Sequence, residues 1–328
     1  MRKSRRFLLV LMVLVLPTFA LAKTFITIGS GGYTGTYYPV AVGIANLINE
    51  NLRDIRANAI STGGSLFNVI AIQTGNVQMA MAQNDTCYYA FTGTVVDTVI
   101  GKPADRVRGM AALYKQPVHI MVRNGAGIAS VADLRGKKVY VGDIGSGTEQ
   151  NTKLILKTYG LTYDDLGEVV HGKAGAASQL LIDGKIDAMF FSAAVGSSAF
   201  VRTAQEGDIT FLSLDQQHLD TLKRKYPFYS QLTVPAGTYP KQTQPFTSVA
   251  VSSLLVVSAD LPEEDVYRIA KLLFIDKLDE FKAIRPVLAR YFSLDKALEG
   301  MSIPLHKGAA RLYKERGVPI PAEVAPID

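Results

Sequence analysis

Two glycine-rich turns hold the residues of greatest chemical interest in this 328-residue chain. One is Gly29-Ser30-Gly31-Gly32-Tyr33-Thr34-Gly35-Thr36-Tyr37-Tyr38-Pro39, and the other is Gly142-Asp143-Ile144-Gly145-Ser146-Gly147-Thr148. Each follows a β-rich run and precedes a helical pattern. N–H groups at the start of a helix have no intrahelical partner and lie at the positive end of its dipole, so glycine there lets a carboxylate or phosphate reach bare main chain. Two such cradles, on the order of a hundred residues apart, point to one ligand held between two lobes. Read singly, each is also an ordinary strand-to-helix turn, where glycine supplies a positive φ.

Groups that would mark catalysis are scarce. The motifs G-x-S-x-G, H-E-x-x-H and G-x-x-x-x-G-K-[ST] are missing, and the first cradle has no lysine where a P-loop needs one. His119, His171, His218 and His306 show no metal-ligand spacing. His306 reads as a hydrogen-bonded structural group, Asp164-Asp165 as a solvated turn, and the single Cys87 as packing, with no cysteine to pair with. No catalytic residue, metal or cofactor is expected. What remains is a set of hydroxyls, amides and backbone N–H groups: Tyr33, Thr36, Tyr37, Thr62, Ser65, Asn84, Ser146 and Thr148. Such a set recognises rather than transforms. Tyr33, Tyr37 and Tyr38 can add apolar walls with polar tips. No arginine is placed for a bidentate clamp, which points to fixed dipoles as the anion's partners.

The elements that must position these groups follow a βα plan. Thr24 to Ile28 alternates as a strand, and Val40, Ile44, Leu47 and Ile48 recur as one helix face, with Thr36 as its cap and Pro39 tolerated near its start. Arg56 to Ile60 reads as a strand, Ser61-Thr62-Gly63-Gly64-Ser65 as a capped turn, Leu66 to Gln73 as a helix, and Val77 to Ala82 as a buried strand delivering Gln83-Asn84-Asp85 to the same rim. Ligands of open α/β sheets collect at the carboxyl ends of strands, where all these polar clusters fall. Pro117 to Arg123 reads as a long strand. Beyond it a second series begins: strand Val139 to Val141, helix Glu149 to Tyr159, helix Ala176 to Ile182, then strand Ile186 to Phe191 opening onto Ser192-Ala193-Ala194-Val195-Gly196. Near Tyr239-Pro240 the pattern changes to a β-rich Ser248 to Val257, followed by helices over Val266 to Leu278 and Asp279 to Leu288, and the chain returns to its first lobe.

Residues 1 to 22 read as a secretory signal: Arg2, Lys3, Arg5 and Arg6, the apolar run Phe7 to Leu16, then Ala20-Leu21-Ala22 as the cleavage pattern. The run falls well short of the roughly 20 residues that span a bilayer. Cleavage after Ala22, checked by intact mass, leaves a soluble exported chain starting at Lys23. The formal charge of +6 then loses four basic residues, leaving 31 Lys and Arg against 29 Asp and Glu. That balance, with basic residues dispersed, argues against nucleic acid.

Together, Gly31 to Pro39, Ser61 to Ser65 with Asn68, Gln83-Asn84-Asp85, Gly145-Ser146-Gly147-Thr148 and Pro304-Leu305-His306-Lys307-Gly308-Ala309 resemble the TAXI family of solute receptors, the periplasmic binding components of one class of TRAP transporters. Ala41-Val42 stand where that family usually shows glycines, and Tyr33 is bulkier than its usual residue. The resemblance implies an α/β, two-lobed, type II periplasmic binding fold. Lobe one would be residues 23–123 plus 250–328 and lobe two 124–249, joined by hinge strands near Pro117 to Arg123 and Ser248 to Val257. It implies a monomeric receptor that passes a small organic acid, glutamate-like or a 2-oxo or 2-hydroxy dicarboxylate, to an ion-gradient-driven membrane permease. The expected ligand contacts are Tyr33, Thr36, Tyr37, Thr62, Gly64, Ser65, Asn84, Asp85, Ser146, Gly147, Thr148, Ala193, Gly196 and Tyr239. The alternative is a secreted hydrolase or transferase acting on a small carboxylate in the same cleft.

Overall fold

The computed structural model describes residues 24–94 and 103–327, so the signal segment and its cleavage site lie outside the described residues. β1 (Thr24–Gly29) leads through the first glycine turn into α1 (Tyr37–Asn51), then β2 (Ile55–Ile60), α2 (Ser65–Gln73), β3 (Met79–Gln83) and α3 (Asn84–Thr92). The face of α1 that carries Val40, Ile44, Leu47 and Ile48 is buried, as its spacing requires. Thr36 occupies the N-cap position of α1, but its hydroxyl makes no capping bond, because its backbone is already helical (φ −88°, ψ −29°). The Ser61–Ser65 turn differs from the sequence reading in the same way: Gly64 is the N-cap of α2, and Ser65 is its first residue.

The long β4 (Val107–Arg123) opens the second half, which continues with β5 (Lys138–Tyr140), α4 (Gly147–Thr158), β6 (Glu168–Val170), α5 (Ala174–Ile182), β7 (Ala188–Ser192), α6 (Ser198–Glu206), β8 (Ile209–Phe211), α7 (Gln216–Lys225) and β9 (Ser230–Val234). The return is β10 (Phe246–Ser258), followed by α8 (Glu263–Lys271), α9 (Leu278–Ala283), α10 (Pro286–Tyr291) and α11 (Lys307–Glu315). The helix expected over Asp279 to Leu288 is two. Pro286 starts α10 and forces Arg285 to an extended φ of −151°.

Among the described residues the strands form one sheet, ordered β2-β1-β3-β10-β4-β7-β5-β6, with β8 beside β4 and β9 beside β10. Two antiparallel strands carry the chain between its halves. β4 pairs with β10 up to Pro117, and from Val118 onward with β7 and β8. Proline has no N–H for a ladder, so Pro117 stands where the strand changes neighbours. The cores divide at the same place. One is built from residues 26–114 and 254–324 with Ala194, and two others from residues between 118 and 251. No described helix is long and apolar enough to cross a membrane.

Candidate functional site

A cleft lies between the halves, enclosing about 600 Å³ that includes open solvent. Four helix N-termini line it: Thr36-Tyr37 of α1 and Gly64-Ser65 of α2 from one half, Ser146-Gly147 of α4 and Lys173-Ala174 of α5 from the other. Each presents N–H groups at the positive end of a dipole, worth about 0.3–1 kcal/mol apiece to an anion and up to about 2 where water is excluded.

Scaffold bonds hold these turns in place. Ser30 N–H and Oγ both donate to Ile60 O, at 3.1 and 2.6 Å, and Asn68 Nδ2 donates to Ser30 O and Met81 O, each at 2.7 Å. Thr62 Oγ1 donates to Ser30 O and accepts from Gly64 N–H, so its proton is committed to the turn. Ser65, Ser146 and Thr148 each accept a backbone N–H, from Gln83, Glu149 and Ser192 respectively. A hydroxyl that accepts still has its own proton to give, so these three can donate to an anion. Thr36 Oγ1 is buried without a hydrogen-bond partner. Tyr37 accepts from Gln116 Nε2 at 2.8 Å, and burial pushes its phenol well above the usual range. Gly147 packs against the Gln83 amide: a Cβ there would sit 2.2 Å from its oxygen and would push the end of that side chain aside.

Among the described residues, the cleft lining has one cation and one carboxylate. Lys173 Nζ lies 2.6 Å from Asp143 Oδ2 and donates across the cleft to Thr62 O at 3.1 Å. Further contacts join the halves: Leu66 N–H donates to Gly145 O at 3.2 Å, while Ser197 Oγ, Ser198 Oγ and Ala199 N–H all converge on Thr34 O. The structure therefore describes a closed form.

Of the residues expected from sequence, Thr36, Tyr37, Thr62, Gly64, Ser65, Ser146, Gly147, Thr148 and Ala193 lie in the lining; Tyr33, Asn84, Asp85, Gly196 and Tyr239 lie outside it. Tyr33 is 70% exposed and packs edge-on against Tyr38. Asn84 faces the crossing strand, accepting from Ser252 N–H at 3.0 Å and donating to Gly300 O at 3.1 Å. Asp85 is fully buried and accepts from Asn151 Nδ2 of the other half at 2.6 Å. The Tyr239 hydroxyl accepts from Gly196 N–H at 3.2 Å and meets His119 Nε2 at 2.8 Å, so both residues brace the loop that follows β7. Gln83, Gln116, Asp143, Lys173, Phe191 and Ser192 also line the cleft and were missed among the expected contacts. The signal for Lys173 was the Gly172-Lys173-Ala174 run at the head of a helix, read as beginning two residues later.

His119 is fully buried and stacked on Phe200 with ring centroids 3.6 Å apart; burial drives it from 6.5 down to about 3. The unfolded chain therefore holds a proton on it between those values that the fold does not, so stability is lost as pH falls through this window. Ring resonances of His119 are expected to remain those of a neutral imidazole from pH 8 to pH 5; a protonation step within that range would contradict the burial. His306 is structural, accepting Gly308 N–H at 3.1 Å and meeting Leu261 O at 3.1 Å.

This architecture, two α/β halves around a cleft with paired crossing strands, is the fold of two-lobed type II periplasmic solute-binding proteins. It matches a solved structure concerned with glutathione import through GshT and the cystine importer TcyBC of Streptococcus mutans (TM-score 0.51, 11% identity, 81% of this chain and 95% of that one). It also matches the ligand-binding component of an ABC-type import system from Staphylococcus aureus (0.50, 11%, 93% and 97%) and a protein of Bordetella bronchiseptica (0.50, 17%, 92% and 91%). At the level of sequence, the chain belongs to the NMT1-like family, whose profile matches residues 28–317.

Proposed function

We propose that this chain is a periplasmic receptor that captures a small organic anion in the cleft and delivers it to a TRAP-type, ion-gradient-driven membrane permease. The observation that carries the reading is the convergence of four helix N-termini, two from each half, on one cleft in which Lys173 already reaches across. An anion gains all of these partners only when the halves close, so it favours the closed form by differential affinity. The ligand class is a glutamate-like acid or a 2-oxo or 2-hydroxy dicarboxylate, held by N–H groups, by the hydroxyls of Ser65, Ser146 and Thr148, and by Lys173. The TRAP partner rests on the resemblance of the Gly31–Pro39, Ser61–Ser65 and Gly145–Thr148 motifs, and export on the residue 1–22 signal. The lobes are taken as 23–123 with 250–328, and 124–249. A hydrolase or transferase has less to support it, because among the described residues the lining contains no histidine or cysteine and its one carboxylate, Asp143, is paired with Lys173.

A thermal-shift screen tests the reading. Small dicarboxylates are expected to raise the melting temperature, with sugars and cationic amino acids silent; at a hundredfold excess over Kd the stabilisation is about 2.7 kcal/mol. Stabilisation by sugars alone, or steady chemical turnover of a bound acid, would remove the receptor for anions.

A further inference from the structure

Asp85 has no solvent exposure, and each group bonded to it is neutral. Thr86 N–H and Oγ1 donate to Oδ1 at 2.7 and 3.3 Å, while Asn151 Nδ2 reaches Oδ2 from the opposite half at 2.6 Å. Asn151 is itself buried. It also donates to the Tyr229 hydroxyl at 3.0 Å, and its carbonyl accepts from Ser192 Oγ at 2.7 Å. With its amide nitrogen turned inward, Gln83 adds bonds to Asn151 Oδ1 at 3.1 Å and Asp85 Oδ1 at 3.3 Å. Ser192 and Gln83 both line the cleft. One residue before Asp85, Asn84 grips β10 at Ser252, next to the register shift between Ser253 and Leu254.

We propose that Asp85 is a positioning residue of the receptor: through Asn151 it bolts the two halves together beneath the cleft and sets Ser192 and Gln83 against the solute. The bolt deepens the solute-receptor reading and takes its purpose from it. A carboxylate buried without a cation is costly, and opening the halves returns it to water. The donors around Asp85 favour its charged form, yet burial outweighs them and pushes the carboxyl from 3.8 up to about 6. Among the described residues its titratable neighbours supply no positive charge: they are Cys87 and Tyr89 on α3, and Tyr229 from the second half. On α4, Glu149 is turned to Gly145 N–H and Lys153 instead. The closed form therefore binds the proton more tightly than the open one. This contribution to closure is full below about pH 4 and is lost as pH rises through about 6, with a ceiling of roughly a hundredfold in the closing constant.

The test is small-angle scattering on the ligand-free protein from pH 4.5 to 7.5, with circular dichroism confirming that each variant is folded. Wild type is expected to open as pH rises through about 6, and Asp85→Asn to keep one shape throughout. A wild-type profile that stays flat, or one that Asp85→Asn reproduces, overturns the bolt. Asn151→Ala keeps the carboxylate but removes its donor from the other half, and should leave the particle more open than wild type at pH 7.5; equal compactness overturns the proposal as well. Because no ligand is present, failure of the acid screen would sink the anion-receptor reading without touching this result.

Discussion

Replacing Lys173 with methionine is expected to weaken binding of a small carboxylate about tenfold. A hydrogen bond from a charged donor contributes roughly 1.5–3 kcal/mol when water is excluded. The Lys173 side chain is 56% exposed in the closed form, so screening puts the effect at the lower end of that range. The substitution also leaves Asp143 unpaired in the lining, where it repels the incoming anion. Asp143→Asn should act in the opposite sense, freeing the ammonium for the ligand and strengthening binding. Joining it to Lys173→Met should recover part of the loss, since the two residues are in contact and their effects will not add. Calorimetry on the acid found in the screen reads all three. An unchanged Kd in Lys173→Met would leave the helix N-termini as the whole of the anion site. A weakened Asp143→Asn would mean that the carboxylate itself contacts the solute.

How far the sequence discloses this site depends on which physical signals are local. The helix starts at Tyr37, Ser65 and Gly147 are written in glycine, hydroxyl and apolar periodicity, all within a few residues of the groups they place. Of the crossing strands, β10 was legible from its β-rich run, but β4 only over Pro117 to Arg123: the strand begins at Val107, and Pro117 is where it changes neighbours rather than where it starts. For Lys173 only its place near a helix head was legible, because its relevance to the cleft comes from Asp143 and Thr62, 30 and 111 residues away. Asn84 and Asp85 sit on the rim by chain position, but their side chains turn toward Ser252 and Asn151, partners that only the tertiary fold supplies. The Pro304–Ala309 motif carries the resemblance for a packing reason. A Cβ at Gly308 would lie 2.3 Å from Glu263 O, so glycine there lets α11 approach α8.

Gly142→Ala is expected to be the most damaging single change in the second cradle. Gly142 has φ of +111°, a conformation an L side chain rarely adopts, and a Cβ there would lie 2.6 Å from Glu149 N and 3.1 Å from Glu149 Cα. Those atoms are backbone in the first turn of α4, which cannot move aside without tilting the helix whose N-terminus faces the cleft. Backbone strain of roughly 1–3 kcal/mol then combines with an overpacking cost of similar size, for a total of about 2–6 kcal/mol. In a chain of this length that corresponds to a fall in Tm of roughly 3–10 °C. Gly145→Ala is the matched control, because its φ is +73° but a Cβ there meets nothing within 4 Å, so it carries the strain without the clash. Its loss should be the smaller, and ligand affinity should survive it better, since α4 keeps its place. Calorimetric melts of the two variants decide the matter. Equal losses would mean that the turn gives way at Glu149, and that α4 is not held to the cleft by the close approach of Gly142.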